Sequence, residues 1–89
     1  MYTIKKYSYD QAKKLKVDIR PSNFKNKKID VFKDDVFICS IGDSWYFDFP
    51  SYLEINKELA DTRRMLYHLR NKKDNIENTK GYYSLKILW

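Results

Sequence analysis

The sequence holds only two glycines, two prolines, one cysteine and one histidine among its 89 residues. The glycines, Gly42 and Gly81, stand far apart, so there is no Gly-rich loop to cradle a phosphate with backbone N–H groups. Cys39 stands alone, which rules out an internal disulfide and an all-Cys metal site and fits a reducing compartment. His68 has no second histidine to share a metal, and Cys39 falls in a predicted strand, so neither a zinc site nor a Cys/His dyad is expected. Long apolar runs are missing as well. The longest, Val36 to Cys39, is far too short to cross a bilayer. Residues 1–6 carry no apolar core of a signal peptide. No membrane partner, metal or cofactor is expected.

Aromatic side chains and positive charge are abundant. Eight Tyr, five Phe and two Trp make 17% of the chain, enough to support the core of one small domain over 1–89. The net charge is +6, which favours an anionic partner. Its sign comes in blocks. Residues 5–33 hold ten basic and three acidic side chains, residues 34–61 one and seven, and residues 62–89 seven and two. The fold either interleaves these blocks or leaves basic patches beside an acidic one.

The pattern predicts an α+β domain: a small antiparallel meander of about three strands, one long C-terminal helix and a short N-terminal helix. Ser8, with Gln11 three residues on, has capping-box spacing and predicts a helix over Tyr9–Lys16, with Ala12 and Leu15 inward. Val17–Arg20 alternates like a strand that Pro21 ends. Lys28–Lys33 and Val36–Ile41 predict a hairpin around Asp34-Asp35, with Phe32 opposite Phe37 and Val31 opposite Ile38. Trp45–Phe47 reads as a third strand. Asp48 caps a helical region with Pro50 in its first turn, Asn56 marks a break, and the pattern runs to about Lys73. Within it Ile55, Leu59, Thr62, Leu66 and Leu69 form one stripe, expected to pack on the sheet. Asn71–Lys80 reads as a loop, and the tail after Gly81 fits either a last helical turn or a strand, with helix preferred.

Three of the four arginines lie in residues 63–70. Arginine grips phosphate or carboxylate with two donors at once, which lysine cannot match. Arg63, Tyr67 and Arg70 share one helical line, and Arg64, His68 and Asn71 another. With Lys72 and Lys73 this display predicts non-specific contact with a nucleic-acid backbone, DNA foremost, with Tyr67 assisting. Lys25, Lys27 and Lys28 form a second basic cluster. Tyr82, Tyr83 and Trp89 are candidate anchors for a protein interface, which supports a second reading as an interaction module. Asp30, Asp34, Asp35, Asp43 and Asp48 are the carboxylates a small metal-dependent nuclease would need. Each also has an ordinary turn, cap or strand role, so no catalytic residues are assigned.

Several segments act together as a signature: Tyr7-Ser8-Tyr9-Asp10-Gln11-Ala12-Lys13-Lys14-Leu15, Arg20-Pro21-Ser22, Lys27 to Lys33, Ser40-Ile41-Gly42-Asp43, Ala60-Asp61-x-Arg63-Arg64-x-Leu66-Tyr67-x-x-Arg70, and Gly81-Tyr82-Tyr83-Ser84-x-Lys86-x-Leu88-Trp89. Together these resemble a family of small basic proteins encoded by large nucleocytoplasmic DNA viruses of the mimivirus and chlorella-virus kind. The resemblance implies a viral origin and a virion or infected-cell (cytoplasmic or nuclear) location; beside nucleic acid, virion proteins or further copies of the chain are the candidate partners. It implies no activity. The family pattern has His where Asn71 stands, Gly at Asp35 and Ala at Ser84. Losing that His removes a catalytic or metal-binding pair from the helix and fits a structural or binding role.

Overall fold

The computed structural model describes residues 2–74, Ile76 and 79–89. Its first helix, α1 (Lys6–Lys14), begins without a side-chain cap. The predicted capping box at Ser8 and Gln11 does not form, because both residues lie inside the helix and reach across the molecule. Ser8 is fully buried and donates its hydroxyl to the Ile87 carbonyl at 3.0 Å, and Gln11 Nε2 donates to the Lys86 carbonyl at 3.1 Å. Those carbonyls end another helix, where no intrahelical donor remains for them. At the end of α1, Lys16 takes φ 60°, and Lys16 and Val17 return their N–H groups to Lys13 and Ala12 at 3.1 Å. This is a Schellman closure with lysine where glycine is usual, and Val17 and Ala12 both enter the core.

Three strands follow: β1 (Asp18–Pro21), β2 (Lys27–Lys33) and β3 (Val36–Asp43), antiparallel in the order β1-β2-β3. The predicted two-residue turn is present. Asp34 and Asp35 adopt φ 51° and 64°, Lys33 meets Val36, and Phe32 meets Phe37. Val31 does not face Ile38 as predicted. A bulge between Val31 and Phe32 sets Val31 opposite Cys39 instead. Nor is Trp45–Phe47 a strand, since β1 supplies the third. After β3 the chain turns on Asp43, whose carboxylate accepts from the Trp45 N–H at 2.9 Å and whose carbonyl accepts from the Tyr46 N–H at 3.1 Å. Those bonds close a turn and cannot continue a ladder.

Four further pieces complete the chain: α2 (Phe49–Leu53), α3 (Lys57–Arg70), a 3₁₀ turn (Lys72–Asp74) and α4 (Lys80–Ile87). Asp48 caps α2 by accepting from the Ser51 N–H at 2.9 Å, and Asn56 caps α3 through the Leu59 N–H at 3.1 Å, so the break falls at Asn56 as predicted. The tail is helical, capped by Thr79 on the Tyr82 N–H. Asn75, Glu77 and Asn78 of the predicted Asn71–Lys80 loop lie outside the described residues.

The fold is α+β, as the pattern predicts. Ile19, Ile29, Val31 and Ile41 of the sheet join Ala12 of α1 and Tyr83, Ile87 and Leu88 at the C-terminal end in one core. Each aliphatic side chain buried there contributes about 1.5–3 kcal/mol. Gly42, at φ 81°, lets Leu88 close onto β3, because a Cβ at that position would stand 2.7 Å from Leu88 Cδ1. The long helix α3 packs differently from expectation. Most of the predicted stripe is exposed, with Ile55 (just before the helix) 60%, Leu59 37% and Leu69 54% exposed, Leu66 is half-buried, and the one fully buried residue of the helix is Ala60. Among the described residues no helix is long and apolar enough to cross a membrane.

Candidate functional site

The inward face of α3 explains this inversion. Arg64 Nε donates to the Trp89 main-chain oxygen at 2.7 Å, and His68 Nε2 lies 3.1 Å from the same oxygen. The Arg64 guanidinium also lies over the Phe49 ring at 4.7 Å. Tyr67 pairs its hydroxyl with Ser84 Oγ at 3.1 Å and stacks its ring flat on Trp89, with centroids 4.4 Å apart. The Leu88 carbonyl accepts from the Phe49 N–H at 3.0 Å. With Ser8 and Gln11, the Arg64 side chain and the Phe49 main-chain N–H give every carbonyl from Lys86 to Trp89 a donor. Of these acceptors α3 meets the Trp89 oxygen, and its polar face turns inward toward that oxygen, the Ser84 hydroxyl and the Trp89 ring.

Arg64, Tyr67 and His68 are thereby engaged in holding the C-terminal segment, and the arginine display splits. Arg63 and Arg70 are exposed and line a cleft of about 460 Å³. Its aromatic walls are Tyr46, Phe47, Tyr52, Tyr67 and Trp89, and Ser84, Leu88, Gly42, Asp43 and the Lys28 and Asp48 pair also line it. The Arg63 guanidinium lies over the Tyr52 ring at 5.7 Å, and Arg70 has no hydrogen bond or ion pair among the described residues. Lys72 and Lys73 are exposed just beyond Arg70.

The second basic cluster does not hold together. Lys25 is exposed, but Lys28 is only 4% exposed and pairs at 3.0 Å with the fully buried Asp48. Lys28 Nζ also donates to the Tyr46 carbonyl, and Tyr2 donates its hydroxyl to Asp48 at 2.7 Å. Burial first, and then the Asp48 carboxylate, push the Tyr2 phenol well above its ordinary value of 10.0, which keeps it a neutral donor. Lys28 therefore anchors the aromatic loop rather than an external phosphate. Lys27 lies beside Lys80 and holds that amine below its ordinary value.

The candidate interface anchors also separate. Tyr83 is 2% exposed and belongs to the core, Trp89 is stacked in the cleft wall, and Tyr82 is half-buried edge-on to Tyr83. The candidate nuclease carboxylates do not gather at one point, although Asp43 and Asp48 both line the cleft. Asp48 is ion-paired, Asp30 accepts from Ser40, Asp34 and Asp35 make the hairpin turn, and Asp43 closes the next one. Among the described residues no three His, Cys, Asp or Glu side chains converge as a metal site. Burial raises the Cys39 thiol above its ordinary value.

The charge blocks are sorted by the fold. Of the five ion pairs among the described residues, Lys5–Glu54, Arg20–Asp35 and Lys28–Asp48 tie the first basic block to the acidic middle. The other two, Lys6–Asp10 and Lys57–Asp61, are neighbours along a helix. None involves a basic residue after position 62.

Local patterning misses Tyr46, Phe47 and Tyr52 as site residues. The available signal is a run of three aromatics after a Gly-Asp-Ser turn, without the polar alternation that an edge strand needs. No family model, curated protein or solved structure matches the chain.

Proposed function

We propose that this protein is a non-enzymatic nucleic-acid-binding protein that grips the phosphate backbone with Arg63, Arg70, Lys72 and Lys73. One observation carries the reading: three of the seven acidic residues of the middle pair with the N-terminal basic block and a fourth pairs within α3, while no ion pair among the described residues takes a cation after position 62. Exposed guanidinium groups of this kind are matched to phosphate. The viral setting implied by the resemblance makes the partner a genome in the virion or infected cell.

The test is binding to DNA at two salt concentrations, by wild type and by the variant with Arg63, Arg70, Lys72 and Lys73 all changed to Ala. If all four cations neutralise phosphates of a duplex, raising salt from 50 to 200 mM weakens wild-type binding about 100-fold. The variant loses most of both the affinity and the salt slope while keeping its circular dichroism spectrum. Salt-insensitive binding, or a variant that binds as wild type does, removes the reading.

A further inference from the structure

The cleft holds more than phosphate contact requires. A backbone-only binder needs cations on a surface, yet here Arg63 and Arg70 border a recess walled by aromatic rings. Its volume of about 460 Å³ lies within the roughly 300–1,000 Å³ typical of small-molecule sites. Resting on the nucleic-acid reading above, we infer that this cleft takes an unpaired base, and that the preferred ligand is single-stranded.

The aromatic loop is the first support. Trp45, Tyr46 and Phe47 are 77%, 70% and 53% exposed, three consecutive large rings kept in water. Such an exposed patch marks a binding surface. The loop is also held in place. Asp43 takes both the Trp45 and Tyr46 N–H groups, Lys28 donates to the Tyr46 carbonyl, and Phe47 packs edge-on against Tyr52 at 5.4 Å. A platform fixed before binding loses little entropy when the ligand arrives. The buried Lys28–Asp48 pair thus gains a purpose, since it fixes the backbone that presents Tyr46.

The opposite wall is the second support. Trp89 is stacked on Tyr67 and half-buried, with Tyr52 tilted toward it at 6.3 Å. Ring faces recognise base faces, and those are covered in a duplex but open in a single strand. Arg63 and Arg70 are seven residues apart, about 10.5 Å along the helix axis. Their long side chains can therefore take phosphates on either side of one inserted nucleotide. Ser84 and Tyr67 place two hydroxyls in the recess, where a base edge can meet donors and acceptors. The open carboxylate of the lining, on Asp43, is turned onto the Trp45 N–H.

The experiment uses the full chain and three probes at one salt concentration: a ten-nucleotide mixed-sequence single strand, its duplex, and adenosine monophosphate. The single strand is expected to bind at least tenfold tighter than either other probe. Changing the exposed pair Tyr46→Ala and Phe47→Ala is expected to cost tenfold or more on the single strand, the scale of one lost base–aromatic stack. Binding to the duplex should change less than threefold, which also shows that the variant is folded. Equal binding of duplex and single strand, or a single-strand affinity unmoved by the double change, overturns the inference and leaves backbone binding standing. Monophosphate binding as tight as the single strand overturns it in favour of a nucleotide pocket. Failure of both polymers to bind removes the parent reading together with this one.

Discussion

Helices α3 and α4 are neighbours in the chain and opposites in how they are built. The eight-residue α4, with Leu88 after it, buries Tyr83, Leu85, Ile87 and Leu88 in the core. The fourteen-residue α3 carries the clearer apolar stripe, yet buries only Ala60 and leaves Leu59, Met65 and Leu69 at 37%, 57% and 54% exposure. The difference is set at the end of α4. Carbonyls there need donors, since an unmet buried carbonyl costs about 1–3 kcal/mol. The Arg64–Tyr67–His68 face of α3 brings two nitrogens to the Trp89 oxygen as well as the ring that stacks on Trp89. An apolar stripe shows which residues share a face but not which face the rest of the protein needs.

The sharpest way to break this comparison is to truncate one side chain in each helix. Ile87→Ala is expected to cost about 2–5 kcal/mol, because Ile87 is fully buried and its removal leaves a cavity. Leu69→Ala, at a half-exposed position, should stay within about 0.5 kcal/mol. Urea unfolding of both variants checks this. A loss above about 2 kcal/mol for Leu69→Ala would show that the stripe is covered in solution and that the contrast between the helices is false.

A second pair compares the two faces of α3 itself. Arg64→Ala removes a charge-assisted bond to Trp89 and the packing over Phe49, and should cost about 1.5–3 kcal/mol. Arg70→Ala, exposed and unpaired among the described residues, should leave stability within about 0.5 kcal/mol while weakening nucleic-acid binding. If both changes leave stability alone, Arg64 belongs with the free cations and the division of the display collapses.

Local rules read much of this chain correctly. The Asp34-Asp35 turn, the cap at Asp48 and the break at Asn56 each follow from a few adjacent residues, whereas the tail after Gly81 fits helix and strand alike until its place in the core decides for helix. The spacing of Arg63 and Arg70 likewise places both on one rim of the cleft. Other features depend on partners far along the chain. Ser8 has the composition of a cap and serves instead as a donor 79 residues away. Arg64 and Arg70 lie on different helical lines, but nothing in the pattern says which line meets Trp89, and the position of Trp89 decides it. Trp45–Phe47 has strand-like residues, but the carboxylate of Asp43 turns the chain before a ladder can form. Scarce glycine hides turns as well. Lys16, Asn26, Asp34 and Asp35 all take positive φ, at 51–64°, where glycine is the usual marker.

The smallest effects separate helix ends from helix faces. Thr79 caps α4 and Asn56 caps α3, each by one side-chain oxygen accepting one N–H, at 3.2 and 3.1 Å. Replacing either with Ala removes the same kind of bond, worth about 1 kcal/mol. Where that loss is felt should differ. Because α4 is part of the core, Thr79→Ala lowers the stability of the whole domain, and amide hydrogens of β2 and β3 exchange about fivefold faster. Because α3 buries little, Asn56→Ala frays its first turn, speeding exchange there while the sheet amides stay within about twofold of wild type. Equal acceleration of the sheet amides by both changes would mean that α3 is as deeply coupled to the core as α4. The Arg64, Tyr67 and His68 contacts would then be a main support of the fold, and the outward stripe a consequence of that coupling.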